Sequence, residues 1–325
     1  MGARLILYYS GNSDSLRPCF SNCPHKLMPG LSQYTKGIFI TALGVFIISP
    51  DGLLTRLILV DHWTLIFWRA LFLSFGMWLI TSLLYPNRSW QQYKSLGLPG
   101  LVMILFYSMG TISFITAITH TSVANTLIIL STTPLFAALI GRVFLSEPIV
   151  PRIWVAILLV AIGVYVISSD GENQNSSMFG DIFAMIGAFF LAAGFTMVRR
   201  FPGISVFPAI STSGLMTALI VLPLAQPFSV TQADMGYLLI MGIYMLPIGT
   251  ALMYMGPKYI PASEVGLMLL LESVLGPTWV WIALGEQPGS RTFIGGAIIL
   301  STLAINTIWA MQSSKRIRRA ALATG

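Results

Sequence analysis

Residues 267–281 read LMLLLESVLGPTWVW, an apolar run that contains a single carboxylate, Glu272. Similar runs fill the chain: 55% of its 325 residues are hydrophobic and only 9% are charged. Soluble domains have about 25% charged residues, and most of these runs are near the ~20 residues that a helix needs to cross a bilayer. The composition therefore predicts an integral membrane protein and leaves little chain for a soluble domain.

The apolar runs predict helices, because the strands of a membrane barrel would alternate apolar and polar residues over about ten positions. We expect an all-α membrane protein with ten transmembrane helices joined by short loops. The predicted spans are roughly 37–57, 64–85, 97–118, 122–145, 152–169, 180–199, 205–225, 235–256, 263–284 and 291–311.

The basic residues predict how these spans are oriented. If the N-terminus is cytoplasmic, ten spans return the C-terminus to the cytoplasm, and every Lys and Arg falls on that side except Arg56, Arg69 and Arg291. This bias follows the positive-inside rule. We therefore predict a multi-pass protein of the plasma (inner) membrane with both termini cytoplasmic. We interpret the basic tail, 313–325, as a topology anchor rather than a site for lipid or nucleic acid.

The first 34 residues are polar, and we expect them to be disordered. Cys19, Cys23 and His25 lie close together in this segment, but two thiols and one imidazole are a weak pattern for a metal. No metal or other cofactor is predicted. Met28 is an alternative to Met1 as the start of translation.

The chain also matches itself. At an offset of 139 residues, matching residues are Gly110 and Gly249, Thr111 and Thr250, Glu147 and Glu286, and Arg152 and Arg291. At an offset of 143, Gly37, Gly44 and Arg56 match Gly180, Gly187 and Arg199. These matches divide the chain into two five-helix repeats, 35–169 and 180–312. Five is odd, so the second repeat enters the membrane inverted, an arrangement typical of secondary transporters with a site near the midplane.

Three stretches resemble a known family. TTPLFAALIGRVFLSEP (132–148) and ESVLGPTWVWIALGEQP (272–288) look like the repeated halves of EamA-type drug/metabolite transporters, and SPDGLLTRLILVDHWTLIFWR (49–69) is similar to the opening of many bacterial members. The resemblance covers about 35–312. It implies ten helices, two inverted repeats and transport of small metabolites such as amino acids or nucleobases. Ser273 departs from the proline that members often carry there, which leaves the position of any helix break near Pro277 open.

Glu272 is the leading candidate for substrate recognition or proton coupling, because a charged group at mid-membrane is costly and usually faces a polar cavity or a partner. Burial favours the neutral form of a carboxyl group, which would help it load and release a proton. The alternative is a structural carboxyl group.

Helical spacing places Glu264 and Trp279 on the same helix face as Glu272. At an offset of 139, Glu264 matches Asn125 and Glu272 matches Thr133, so polar positions of both repeats are expected around one cavity. Glu264 is the weaker candidate, since an acid near a helix start is favourable in any case.

Asp51 and Arg69 form a second candidate. Asp51 lies beside Pro50 and Gly52, which should loosen the helix, and Arg69 lies early in the second span. A buried arginine needs a carboxylate, so we predict that the two pair. The pair is either structural or part of an outer gate or clamp for a substrate carboxylate. Tyr107 and Tyr244 are further candidates for lining a pocket, although most residues of this type simply pack helices.

No enzymatic motif is present in the sequence: it lacks clustered metal ligands, a nucleophile elbow and a phosphate-binding loop. We predict a secondary transporter that moves a small molecule by alternating access and uses protons as the coupling ion, and the family resemblance favours export. A membrane-embedded enzyme or lipid-handling protein is the alternative. The sequence leaves a homodimer open and gives neither substrate nor direction.

Overall fold

The computed structural model describes residues 33–144, 151–168, 177–201, 203, 205–255, 262–286 and 288–323. Within these ranges it does not describe the side chains of 33–34, 262–269 and 313–323, nor of a few single positions. The described chain contains helices and no strand, as the sequence predicts. The predictions for the N-terminal cysteines and for Met28 lie outside the described residues.

Each predicted span coincides with one helix or with two or three consecutive helical segments. The segments are α1 Gln33–Ile48, α2 Asp51–Leu57, α3 His62–Leu84, α4 Ser89–Lys94, α5 Gly97–His120, α6 Val123–Leu130, α7 Thr133–Phe144, α8 Pro151–Ser168, α9 Met178–Arg200, α10 Val206–Val221, α11 Gln232–Leu239, a π-helical segment Ile240–Met245, α12 Leu246–Met255, α13 Ala262–Leu284 and α14 Ser290–Ala323.

The helices have the lengths and surfaces of a multi-pass membrane protein. In the described chain, six helical stretches are long and apolar enough to cross a bilayer, and three shorter apolar helices accompany them. Large apolar side chains such as Phe75, Leu158 and Ile282 are exposed on the outside of the bundle, where lipid would cover them. The exact number of ten spans stays a prediction.

Contacts between helices follow the two repeats. The sequence match pairs the α1–α2 span with α9, and α5 with the α11–α12 span. If a twofold axis relates the repeats, the contact between α5 and α9 must have a counterpart between α12 and α1. Both contacts are present and extensive. Matched spans also pack against each other: α3 contacts α10, α6 contacts α13 and α8 contacts α14.

Matching glycines lie at equivalent crossings. A Cβ atom added to Gly44 in α1 would lie 2.8 Å from the carbonyl oxygen of Gly249 in α12. Their repeat counterparts, Gly187 in α9 and Gly110 in α5, lie where those two helices pack. Small residues allow membrane helices to approach closely, so the repeated glycines fix the same crossing twice.

Several spans are interrupted. The first span breaks at Ser49–Pro50, between α1 and α2, where the sequence predicts a loosened helix. The fourth breaks at Ser131–Thr132, and Pro134 follows in the first turn of α7, where proline is well tolerated. The π-helical segment precedes Pro247, which has no N–H to donate to Ile243. In contrast, α13 continues through Pro277 without a break.

Candidate functional site

A buried ion pair lies at the break in the first span. An Nη of Arg69 on α3 donates to Oδ2 of Asp51 at 2.6 Å, and each residue is about 5% exposed or less. This is the pairing that the sequence predicts. Asp51 is the first residue of α2, where the helix dipole favours a carboxylate. The ring of Phe114 on α5 lies against the arginine, 5.4 Å from the guanidinium carbon.

The pair is incompletely satisfied. Oδ1 of Asp51 and Nε of Arg69 are buried and have no hydrogen-bond partner. Buried polar atoms in folded proteins nearly always have partners, and an exception calls for an explanation such as a function or an unseen water. Two free polar atoms beside an existing charge pair give this position spare capacity to bind a polar group.

Trp279 on α13 holds the break in place. Its indole N–H donates to the hydroxyl of Ser49 at 2.9 Å, and that hydroxyl in turn donates to the carbonyl of Phe46 at 2.8 Å. The Trp279 ring also meets Phe46 edge to face, with ring centroids 6.1 Å apart. The carbonyl of Phe46, near the end of α1, therefore accepts a hydrogen bond from a side chain in place of a helix N–H. The same contacts connect α13 to Ser49, next to Pro50.

Glu272 lies about two helical turns before Trp279, near the middle of α13. It lies close enough to Asp51 and Arg69 to be influenced by their charges, so ionisable side chains from α2, α3 and α13 lie near one another. We call Asp51, Arg69 and Glu272 the charge cluster. The side chain of Glu272 is half-buried, and no ion pair or hydrogen bond to it is seen within the described ranges.

The first repeat packs tightly beside Glu272. The hydroxyl of Ser273 donates to the carbonyl of Leu127 on α6 at 3.2 Å, and Gly276 has no room for a Cβ because the Leu127 side chain fills it. The charge cluster therefore lies where helices of both repeats meet, since α13 belongs to the second repeat and α2, α3 and α6 belong to the first.

Asn125 and Thr133 have structural partners. Oδ1 of Asn125 accepts from Thr292 at 2.8 Å and its amide donates weakly to Thr121 at 3.4 Å, with the residue fully buried. The hydroxyl of Thr133 donates to the carbonyl of Leu130 across the α6–α7 break at 2.6 Å. A role for either residue in lining a cavity stays a prediction.

The remaining candidates lie apart from these contacts. Tyr107 is half-buried on α5 and its ring packs against Gly194 on α9. Tyr244 is 62% exposed, whereas Met241 and Met245 in the same π-helical segment are buried. Glu264 is in the first turn of α13, and its side chain lies outside the described residues.

A polar network that the sequence did not predict lies at the end of the bundle that carries the α2–α3 turn. An Nη of Arg56 donates to the carbonyl of Thr121 at 2.7 Å, and Nε of Arg56 lies 4.0 Å from Glu286. The hydroxyl of Thr121 donates to Asp181 at 2.9 Å, and Asp234 accepts from the backbone N–H of Leu59 at 3.1 Å. We call these contacts the closing network.

The closing network joins the two repeats, because Arg56, Leu59 and Thr121 belong to the first, and Glu286, Asp181 and Asp234 to the second. From the sequence alone, these charges were not expected to contact one another, although Arg56 and Glu286 contribute to the repeat match. Their one earlier signal was position, since all of them lie at predicted span ends on the same side of the membrane.

The fold and the charge cluster define a class: a multi-pass helical membrane protein of two similar halves, with ionisable groups where the halves meet. A family model agrees. The EamA-like transporter family matches residues 35–169 and 178–308, nearly the ranges predicted for the two repeats. The chain belongs to the EamA-like transporter family.

Similar proteins carry transporter names. The chain is 24% identical over 216 residues to an uncharacterized transporter of Methanothermobacter thermautotrophicus (strain Delta H), a match that spans 63% of this chain and 62% of that protein. It is 23% identical over 210 residues to the pseudopaline exporter CntI of Pseudomonas aeruginosa (strain UCBPP-PA14), over 62% of this chain and 71% of the exporter. A solved crystal structure shares the fold, with a TM-score of 0.63 and 15% identity over 86% of this chain and 98% of that one.

Proposed function

We propose that this protein is a secondary active transporter that exports a small metabolite by alternating access, with protons as the coupling ion. Amino acids, nucleobases and molecules of similar size form the proposed substrate range. The observation that carries the proposal is the charge cluster, because a buried Asp51–Arg69 pair and the nearby Glu272 lie at the interface of two repeats, beside a broken helix. The exporter name of one relative favours export over import.

Arg69 and Glu272 have different proposed tasks. Arg69 is held by Asp51 through one Nη, and its Nε is free. A substrate carboxylate would therefore find a preoriented donor there. Glu272 has no partner of its own among the described residues, so it is available to bind a substrate amine or a proton. Interactions with charged groups are strong where water is excluded.

The closing network defines one end state of the proposed cycle. In the proposed cycle this network holds the end at the α2–α3 turn closed, and the charge cluster would be reached from the opposite end. Alternating access then requires the network to break while contacts form at the opposite end, as the two repeats rock around the cluster. The proposed orientation, with both termini in the cytoplasm of a plasma-membrane protein, makes the sealed end extracellular.

Counterflow in proteoliposomes tests the proposal. Vesicles loaded with an unlabelled candidate substrate should accumulate the labelled form transiently, because a carrier exchanges solute faster than it moves it in one direction. A panel of amino acids and nucleobases supplies the candidates. A channel or an enzyme would show no acceleration by substrate on the opposite side.

A matched control separates a functional cluster from damage to the fold. Thr278 is on the same helix as Glu272, and its hydroxyl donates to the carbonyl of Val274 in that helix. Thr278→Val should keep counterflow, whereas Arg69→Gln should lose it. Equal counterflow in both variants at equal protein levels would contradict the proposed site.

A further inference from the structure

A groove on the side of the bundle lies apart from the charge cluster. Its volume is about 640 Å³, and it runs between α3 and α10 down to the short helix α4. Its walls are mostly aromatic and aliphatic side chains, including Phe75, Trp78, Trp90 and Leu215. Phe75 and Trp78 stack with ring centroids 5.7 Å apart and remain about half exposed. The volume is in the range of small-molecule sites, about 300–1,000 Å³.

The groove has an apolar surface and few hydrogen-bond donors that are free to bind a ligand. Three of its four hydroxyl-bearing residues already donate within the protein: Tyr93 to the Ser211 hydroxyl at 3.1 Å, Ser211 to the carbonyl of Ser74 at 2.9 Å, and Thr212 to the carbonyl of Pro208 at 2.8 Å. A polar metabolite would gain few hydrogen bonds there. A hydrocarbon chain would instead cover exposed aromatic rings.

Two basic residues, Arg88 and Lys94, lie at the α4 end of the groove. Lys94 follows Tyr93 directly, and its ammonium group lies 5.9 Å from the centre of the Trp90 ring. Arg88 is at the start of the same helix and is exposed. In the described part of the chain, the carboxylates are near the α2–α3 turn or in the charge cluster, so neither basic residue has an acidic partner.

We propose that this groove is a binding site for an anionic phospholipid. The acyl chain lies between the aromatic wall of α3 and Leu215 of α10, and the phosphate lies at Arg88 and Lys94. Helix α4 is short and carries Lys94 and Trp90, with Arg88 directly before its first residue, a composition that suits the headgroup level of a membrane. The predicted orientation places α4 on the cytoplasmic side, where a basic site between helices selects acidic headgroups.

Native mass spectrometry of the full chain in mild detergent tests this proposal, with phosphatidylglycerol and phosphatidylethanolamine as probes. Wild type should retain one phosphatidylglycerol in preference to phosphatidylethanolamine. A basic residue near an anionic surface contributes about fivefold in affinity, so Arg88→Gln with Lys94→Gln should weaken phosphatidylglycerol retention roughly 30-fold. Trp78→Ala should weaken retention of both lipids, because it removes part of the acyl-chain wall.

Arg142 provides the matched control. It is an exposed arginine at the end of α7, on the same side of the membrane, and it does not line the groove. Arg142→Gln should retain phosphatidylglycerol as wild type does. Equal retention by the double variant and the Arg142 variant would overturn the proposal, as would equal binding of the two lipids by wild type. A dimer that Trp78→Ala converts to monomer would also overturn it, since the groove would then be an interface between two copies.

Discussion

At the scale of single residues, the Asp51–Arg69 pair is costly to keep. Taking two charges out of water is unfavourable, and their attraction repays it only when hydrogen bonding is complete. Here one oxygen of Asp51 and one nitrogen of Arg69 lack partners. A pair kept only for stability would be better satisfied, so the geometry favours a binding role for Arg69.

A double-mutant cycle distinguishes the structural and functional roles of this pair. Arg69→Gln alone leaves Asp51 as a buried carboxylate without its partner, and should lower the free energy of unfolding by about 3–5 kcal/mol. Asp51→Asn combined with Arg69→Gln removes both charges, and should restore most of that stability. Thermal unfolding in detergent measures both variants.

Transport by the double variant then decides the role. If Arg69 binds substrate, the stable double variant stays inactive in counterflow. Recovery of transport together with stability would show that the pair is purely structural.

The sequence was sufficient to predict this pair and insufficient for the closing network. A buried arginine early in one span and an aspartate late in the preceding one have few other partners, so their pairing followed from depth alone. Arg56 instead contacts a backbone carbonyl of Thr121 and a distant carboxylate, Glu286. Contacts between the repeats depend on how the repeats pack together, and a local sequence pattern does not encode that packing.

At the scale of the helix, the breaks have different causes. Pro50 has no N–H to donate to the carbonyl of Phe46, so α1 ends there. The hydroxyl of Ser49, held by Trp279, donates to that carbonyl instead. Pro277 also lacks this N–H, yet α13 continues past it, since one lost hydrogen bond can be tolerated when neighbouring helices pack around the site. Proline marks places where a helix can break, and packing decides whether it does.

The glycine crossings give a prediction about stability. Gly249→Ala should destabilise the protein by about 1–3 kcal/mol, the usual range for overpacking, because its new Cβ would contact Ile48 and the carbonyl of Gly44. Gly236 is the control, since no atom lies within 4 Å of its added Cβ. Gly236→Ala should be neutral or stabilising, because alanine favours helix. Similar unfolding temperatures for both variants would show that this crossing is not tight.

At the scale of the whole molecule, the closing network ties the two repeats together at the end that carries the α2–α3 turn. The longest of these contacts is the Arg56–Glu286 pair, with Nε and Oε1 4.0 Å apart and both side chains partly exposed. The contact of Arg56 with the Thr121 carbonyl is shorter, at 2.7 Å. A substitution of Arg56 therefore removes two contacts between elements at once, and should favour opening of this end.

Thiol labelling tests that expectation. Val123 is 1% exposed and lies behind the network, against Gly52. With Cys19 and Cys23 changed to serine, Val123→Cys should react slowly with a polar thiol reagent, and adding Arg56→Gln should increase the rate. Arg142→Gln, at the opposite end, is the control and should leave the rate unchanged. An unchanged rate with Arg56→Gln would show that the network does not hold this end closed.

In the proposed mechanism, Glu272 couples transport to a proton gradient. The direct measurement is substrate flux in proteoliposomes with and without an imposed pH gradient, comparing wild type with Glu272→Gln. Wild type should respond to the gradient. Glu272→Gln should lose that response and keep counterflow, because glutamine has similar shape but cannot release a proton. Equal gradient-driven flux in both proteins would contradict the claim and leave Glu272 a structural residue.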